Sequence, residues 1–247
     1  MNKKMWMSLV LMFVIVGSGQ RPVEAAAEDT AEALLARFDD TLFPENVTFD
    51  WEMTSKRADG TEKVYRVTTY KRGRLDARSE FTFPPVEKGR VMLRKGDQMW
   101  MAMPTTKKPI KLSPRQSLMG GDFDNTDVMR LNLLDDYSVR FTDSSDPSQV
   151  VLDLKARDRS QSYDRMVFYI DRASSMPIRQ ELYTLSGKKI KEQTYSEPKV
   201  FAGHKRPSVL RMQNLLTGKS HTTMRILDLQ PGKTLPANKF TVDAITQ

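Results

Sequence analysis

Residues 47–54 read Val47-Thr48-Phe49-Asp50-Trp51-Glu52-Met53-Thr54, and this stretch decides the fold. Apolar and polar side chains alternate strictly. A period of two places Val47, Phe49, Trp51 and Met53 on one face of a strand and the polar set on the other. Just upstream the period is different. Ala31, Leu34, Leu35, Phe38 and Leu42 recur at helical spacing, Asp29 stands where a cap belongs, and Glu32 follows three residues later as in a capping box. The chain passes Pro44 and changes from helix to strand.

The alternation recurs downstream. Leu75, Ala77, Ser79, Phe81 and Phe83 form one such face; Met99, Met101 and Met103 form another. Val150, Leu152 and Leu154 repeat it, as do Met166, Phe168 and Ile170. Turn signals separate these runs at Ala58-Asp59-Gly60, Lys71-Arg72-Gly73, Lys95-Gly96-Asp97, Asp143 to Pro147, and Ser186-Gly187. Short strands joined by short turns predict an antiparallel meander of ten or eleven strands. Residues 113–136 break the rhythm. Ser113-Pro114 reads as a helix start, Gly120-Gly121 as its stop, and Asn125 or Thr126 as the cap of a second short helix carrying Val128, Met129 and Leu131. The expected fold class is mostly β: a curved antiparallel sheet forming an unclosed barrel, plugged by the N-terminal helix and this insertion. A sheet covered in this way leaves a cavity suited to a hydrophobic ligand.

The N-terminus predicts export. Lys3 and Lys4 precede an apolar run from Met5 to Val16, followed by Gly17, Ser18, Gly19, Pro22 and small residues at Ala25 to Ala27. This is the order of a secretory signal peptide over 1–27, the alternative being an uncleaved anchor. Residues 28–247 are expected to form one domain. The chain has no cysteine, so it carries neither disulfides nor a lipid-modified cysteine. The formal charge is +8, and it remains positive once the signal is removed. Basic and acidic residues interleave, which suits an anionic membrane surface or an acidic partner better than nucleic acid.

Catalytic patterns are scarce. His204 and His221 stand seventeen positions apart, no G-x-S-x-G follows the signal, and Ser186-Gly187-Lys188 lacks the upstream glycine of a phosphate loop. The expectation is no enzyme activity, no metal and no cofactor. Asp122, Asp124, Asn125 and Asp127 invite a calcium reading but lack the glycine and late glutamate of an EF-hand; helix capping accounts for them equally well. The run Lys107, Lys108, Lys111 and Arg115 reads either as a docking surface or as a solvated strand end. Fifteen methionines are present, and those on strand faces offer a soft wall that adapts to varied ligands or simply fills the core.

Several motifs carry a resemblance to a known family. They are Gly89-Arg90 with Leu93, Gly96-Asp97 and Trp100; Met103-Pro104 with its basic run; Leu112-Ser113 through Gln116-Ser117 to Met119-Gly120-Gly121-Asp122-Phe123 and Asp127; and Met176-Pro177 with Glu181, Tyr183 and Gly187-Lys188. In these the chain resembles the LolA-like family of outer-membrane lipoprotein-sorting proteins, though Gly121 stands where that family usually has serine. The resemblance implies a periplasmic shuttle. It would take a lipid or lipidated protein from an inner-membrane transporter to an outer-membrane acceptor, as a monomer. The alternative is a lipid- or lipoprotein-sensing module that contacts a membrane-bound regulator. On this reading Phe49, Trp51, Met53, Phe81, Met99, Met101 and Met103, with Leu35 and Phe38 of the helix, line the lipid cavity. Met119, Gly120, Gly121, Asp122, Phe123 and Asp127 form the lid and its hinge, loosened by the glycine at 121.

Overall fold

The computed structural model describes residues 30–246 except 43, 107, 130–132, 217 and 219. The signal segment, Asp29, Lys107 and Leu131 lie outside the described residues.

The chain opens with helix α1 (Ala31–Leu42) and continues through thirteen strands in one antiparallel sheet. The first six are β1 (Val47–Lys56), β2 (Glu62–Arg72), β3 (Asp76–Phe83), β4 (Val91–Lys95), β5 (Gln98–Ala102) and β6 (Pro109–Leu112). An insertion with two short helices, α2 (Asn125–Met129) and α3 (Leu133–Asp136), leads to β7 (Tyr137–Thr142), β8 (Gln149–Ala156) and β9 (Arg165–Asp171). The sheet continues with β10 (Pro177–Tyr183), β11 (Lys189–Phe201), β12 (His204–Asn214) and β13 (His221–Pro231).

Every sequence neighbour pairs with the next from β1 to β6 and from β7 to β13. The strand order is β6-β5-β4-β3-β2-β1-β13-β12-β11-β10-β9-β8-β7. The first and last strands therefore meet at the centre, Trp51 opposite Ile226 and Met53 opposite Met224, with a register shift between Asp50 and Trp51. The two edges are β6 and β7, so the barrel is unclosed. The insertion lies between these edges in the sequence, and its Leu118, Phe123, Val128, Met129 and Leu133 are buried in the main core.

Alternation places the core as expected. Val47, Phe49, Trp51 and Met53 are buried with Tyr65, Val67, Ala77 and Phe81 in one cluster, which also takes in the α1 stripe and the insertion. The thirteen strands exceed the ten or eleven expected. The surplus comes from short or polar-rich strands such as β6, whose Pro109 and Lys111 hide its period. Leu75 and Phe83, assigned to an inner face, sit at or beyond the ends of β3 and are 50% and 38% exposed. Met103 lies past the end of β5, where the chain has already turned.

The helix cap is Thr30, whose hydroxyl accepts the Ala33 N–H at 3.1 Å. At its other end Arg206 of β12 donates to the Thr41 carbonyl at 2.8 Å, satisfying a terminal acceptor of α1. The helix expected from Ser113 does not form. Local bonds offer the backbone a better alternative: Leu118 N–H donates to Phe123 O at 2.8 Å, Asn125 N–H to Gln116 O at 2.9 Å, and Thr126 Oγ1 to Pro114 O at 2.7 Å. The result is a pinched loop with a single 3-10 turn at Leu118–Gly120. Its second helix is capped by Asp124, not Asn125 or Thr126; the Asp127 carboxylate reaches back to the Asp124 N–H at 2.7 Å.

The outer face has its own small cluster. Val91, Leu93 and Ala102 pack against Phe240 and Ile245, with Tyr70 and Trp100 at the margin. Arg78 fastens this C-terminal segment by donating to the carbonyls of Lys239 and Ala244 at 3.0 and 3.1 Å. The pattern of β4 and β5, apolar on both faces, is the sequence trace of this cover.

Candidate functional site

The concave face holds the insertion on both halves of the sheet. On the β1–β6 half, Ser79 of β3 donates to the Met129 sulfur at 3.2 Å and buried Arg94 of β4 donates to the Met129 carbonyl at 3.3 Å. On the other half, Asp122 is bound by β13. Its N–H donates to Thr222 Oγ1 at 2.8 Å, and its carboxylate accepts from Ser220 at 2.9 Å and Thr222 at 2.8 Å.

The glycine at 121 has an unexpected effect. Its backbone is extended, so it supplies no left-handed turn; that is done by Met119 at φ 53° and Gly120 at φ 75°. A Cβ on Gly121 would stand 3.0 Å from Thr222 Oγ1 and 3.3 Å from the Leu118 carbonyl. Glycine here tightens the loop against β13; it does not loosen it.

A second fastening is ionic. Lys191 of β11 donates to Asp124 at 2.8 Å and to the Tyr163 hydroxyl at 3.1 Å. That hydroxyl in turn reaches Asp127 at 3.0 Å and Asp124 at 3.2 Å. Burial pushes Asp127 up to about 6, opposed by the Lys191 charge and reinforced by Asp124. Burial also holds the Tyr163 phenol well above its ordinary range, with the two carboxylates adding to the effect. Two carboxylates facing one ammonium leave surplus negative charge in a buried place, and proton uptake by Asp127 relieves it. The three acids considered for calcium are thus tied up by hydroxyls, a lysine and a helix cap, and Asn125 donates to the Ser113 carbonyl at 2.9 Å. No cluster of three metal-ligating groups occurs among the described residues.

Where α1 meets α3, burial pushes Asp39 up to about 7, while the Leu133 N–H at 3.1 Å and the Lys71 charge oppose it. Burial pulls Lys71 down to about 8.

Beneath α1, α2 and α3 lies a cavity of about 50 Å³ against β9 to β12. Phe38, Leu42, Leu133, Met166, Phe168 and Leu210 supply its apolar wall. Phe38 meets Phe168 edge-on at 4.7 Å and Tyr195 at 6.0 Å. Gln161, Gln180, Gln193, Tyr195 and Asp127 supply polar atoms to the same space. Larger concavities of 470 and 790 Å³ lie at the surface of the β7–β10 region, lined mostly by polar and charged loop residues. Apolar walls, buried polar groups and a fastened cover converge in the cavity of about 50 Å³.

The residues expected to line the cavity are distributed unevenly. Phe38 lines it. Leu35, Phe49, Trp51, Met53, Phe81 and Met99 are packed solidly in the core. Met101 faces a separate pocket of about 140 Å³ beside Met119, Gly120 and Arg90. Met103 is half-buried past the strand end. Met119, Gly120, Gly121, Asp122, Phe123 and Asp127 all belong to the insertion, with Phe123 1% exposed. Of the basic run, Lys108 and Lys111 are exposed, whereas Arg115 donates to the Arg159 carbonyl and, at 2.7 Å, to that of Gln161, bracing the β8–β9 loop. Sequence reasoning did not single out Gln161, Tyr163, Gln180, Lys191, Gln193 and Tyr195. The one usable signal was polar residues at strand positions of inward parity, such as Lys191, Gln193 and Tyr195 in β11.

No curated protein matches the chain. A family model described as an uncharacterized protein matches residues 75–247. Among solved structures, a LolA superfamily protein from Nitrosomonas europaea is 27% identical, with a TM-score of 0.77 over 86% of this chain and 98% of that one. A structure described as an outer membrane lipoprotein-sorting protein domain from Vibrio parahaemolyticus is 20% identical, with a TM-score of 0.74 over 88% and 98%. A DUF1329 family protein from Desulfovibrio piger is 19% identical, with a TM-score of 0.75 over 88% and 99%.

Proposed function

We propose, from the premise that this chain belongs to the LolA-like family, that it is a non-catalytic periplasmic carrier. It shields a lipid or the acyl chains of a lipidated protein beneath its insertion. It takes that cargo from an inner-membrane transporter and gives it up to an outer-membrane acceptor.

One observation carries this reading. Across the open side of the barrel, the described residues of the insertion are held by polar bonds over a cavity with an apolar wall. Burying a methylene is worth about 0.8 kcal/mol, so a sixteen-carbon chain represents roughly 12 kcal/mol gross. A carrier must offer nearly that much without exceeding what the membrane offers. The cavity of about 50 Å³ is far below the roughly 300–1,000 Å³ of a lipid- or drug-sized site, so loading requires the insertion to move. The free energy spent on breaking its bonds to Lys191, Thr222 and Ser79 offsets part of the burial gain and keeps release possible.

The test is native mass spectrometry with lipid extraction on protein purified from periplasm. A stoichiometric acyl lipid or lipopeptide supports the carrier. A clean protein that also fails to take up a fluorescent fatty-acid probe contradicts it.

A further inference from the structure

The cavity wall holds two unspent hydrogen-bonding groups. Gln180 accepts from the Tyr195 hydroxyl at 2.9 Å and donates to Gln193 Oε1 at 3.2 Å. The direction of this chain is set by Tyr195: its buried hydroxyl places its proton on Gln180 Oε1, which turns Gln180 Nε2 toward Gln193. Gln193 Nε2 is then left with no acceptor among the described residues, on a side chain only 4% exposed. Gln161, 5% exposed, uses its Nε2 on Asp136 at 3.1 Å and Ser160 at 3.3 Å, which leaves its Oε1 without a donor. Both side chains line the same cavity of about 50 Å³.

Both atoms keep some exposure within this space and are therefore open to whatever occupies it. A spare donor and a spare acceptor in one small apolar space are complementary to a secondary amide, whose carbonyl accepts and whose N–H donates. A space of this size suits a linkage group and not a whole chain. Ordered water, which needs about 10–15 Å³ per molecule, is the competing occupant.

We propose that the cavity recognises the linkage of its cargo as well as the chain. Gln193 donates to the carbonyl and Gln161 accepts from the N–H of an N-acyl amide, so that amide-linked acyl groups are preferred over ester-linked ones. This rests on the carrier reading and names the cargo class within it. An ester offers the carbonyl but leaves Gln161 unsatisfied; an alkane satisfies neither.

The experiment measures displacement of a fluorescent fatty-acid probe from the full-length mature protein by N-methylpalmitamide, methyl palmitate and hexadecane. The expected order is amide, ester, alkane, with steps of about three- to tenfold. Gln161→Met should collapse the amide-to-ester ratio toward one. Gln193→Met should weaken amide and ester together. Hexadecane should displace the probe from the variants at least as well as from the parent, because the wall becomes more apolar, and far-UV circular dichroism matching that of the parent reports that they are folded. An amide-to-ester ratio near one in the parent protein overturns the proposal, whatever the variants do, and means that water occupies the site. Failure of all three compounds to displace the probe, or of the probe to bind, overturns the carrier reading and this proposal with it.

Discussion

The two halves of the sheet each carry a chain of buried hydrogen bonds on the concave face, and the chains end differently. In β1–β3, Trp51 Nε1 donates to Thr69 at 2.9 Å, Thr69 meets Ser79 at 2.8 Å, and Ser79 ends on the Met129 sulfur of the insertion. Its donors are all used, and none of its members lines the cavity beneath α1 to α3. In β10–β11, Tyr195, Gln180 and Gln193 form a similar chain that ends facing open space. A spent polar chain fixes one packing of the core. A chain with a free end leaves a preference for a partner. On the proposal above, the first half of the sheet is scaffold and the second half reads the chemistry of the cargo.

The largest expected effect falls on the scaffold. Trp51→Ala, at a residue 1% exposed, should cost about 3–5 kcal/mol in denaturant unfolding. A loss below about 1 kcal/mol would mean that the first half is as loosely packed as the second.

Next comes the ionic fastening. Lys191→Met leaves Asp124 and Asp127 buried without their cation, a change of about 3–5 kcal/mol where no relaxation occurs. The loss should be larger at pH 8 than at pH 5. The sign follows from Asp127, whose folded-state pKa is raised from 3.8 to about 6. A raised carboxylate binds protons more tightly in the folded state, so its contribution to stability is present at low pH and lost as pH rises through about 6. Asp39, raised to about 7, acts in the same sense. Without Lys191 the proton on Asp127 is held more tightly still. Hydrogen exchange over residues 116–129 should report the loosened insertion. Equal losses at both pH values would separate Asp127 from the fastening.

A matched pair then compares the two hydrogen-bond chains directly. Thr69→Val leaves the Trp51 indole N–H without an acceptor and should cost about 1–3 kcal/mol. Gln193→Met takes the acceptor from Gln180 Nε2, but that group borders a cavity with room for water, so the change should cost less than Thr69→Val does. Similar costs at the two sites would erase the distinction. Smallest is Gly121→Ser, where Thr222 must yield by a few tenths of an ångström. About 1 kcal/mol of destabilisation is expected, with faster exchange at Asp122 N–H.

The scaffold was legible in the sequence because it is apolar and regular. The alternation in 47–54 and the stripe from Ala31 to Leu42 each predict a burial that the structure has. The second half was harder to read. Gln180, Gln193 and Lys191 look like the polar face of a strand, yet Gln180 and Gln193 face the cavity and Lys191 faces Asp124 and Tyr163. The methionines of β5 attracted attention because soft side chains suit a ligand wall, yet Met99 fills the core. The insertion was readable as a break in period, but its shape is set by contacts with Thr222, Lys191 and Ser79, each distant in sequence. Glycine at 121 shows the same limit: its role is a close approach to β13, which no local pattern encodes.

The central claim is that the insertion is the moving cover. The chain has no cysteine, and a Cβ at position 121 would lie 3.0 Å from Thr222 Oγ1, whose place a cysteine sulfur at 222 can take, within reach of a disulfide. The double variant Gly121→Cys with Thr222→Cys can therefore be locked by oxidation and released by reductant. The account predicts that the reduced protein takes up the fatty-acid probe and that the oxidised protein does not. Equal uptake in both states would contradict it, because cargo would then enter without moving the insertion.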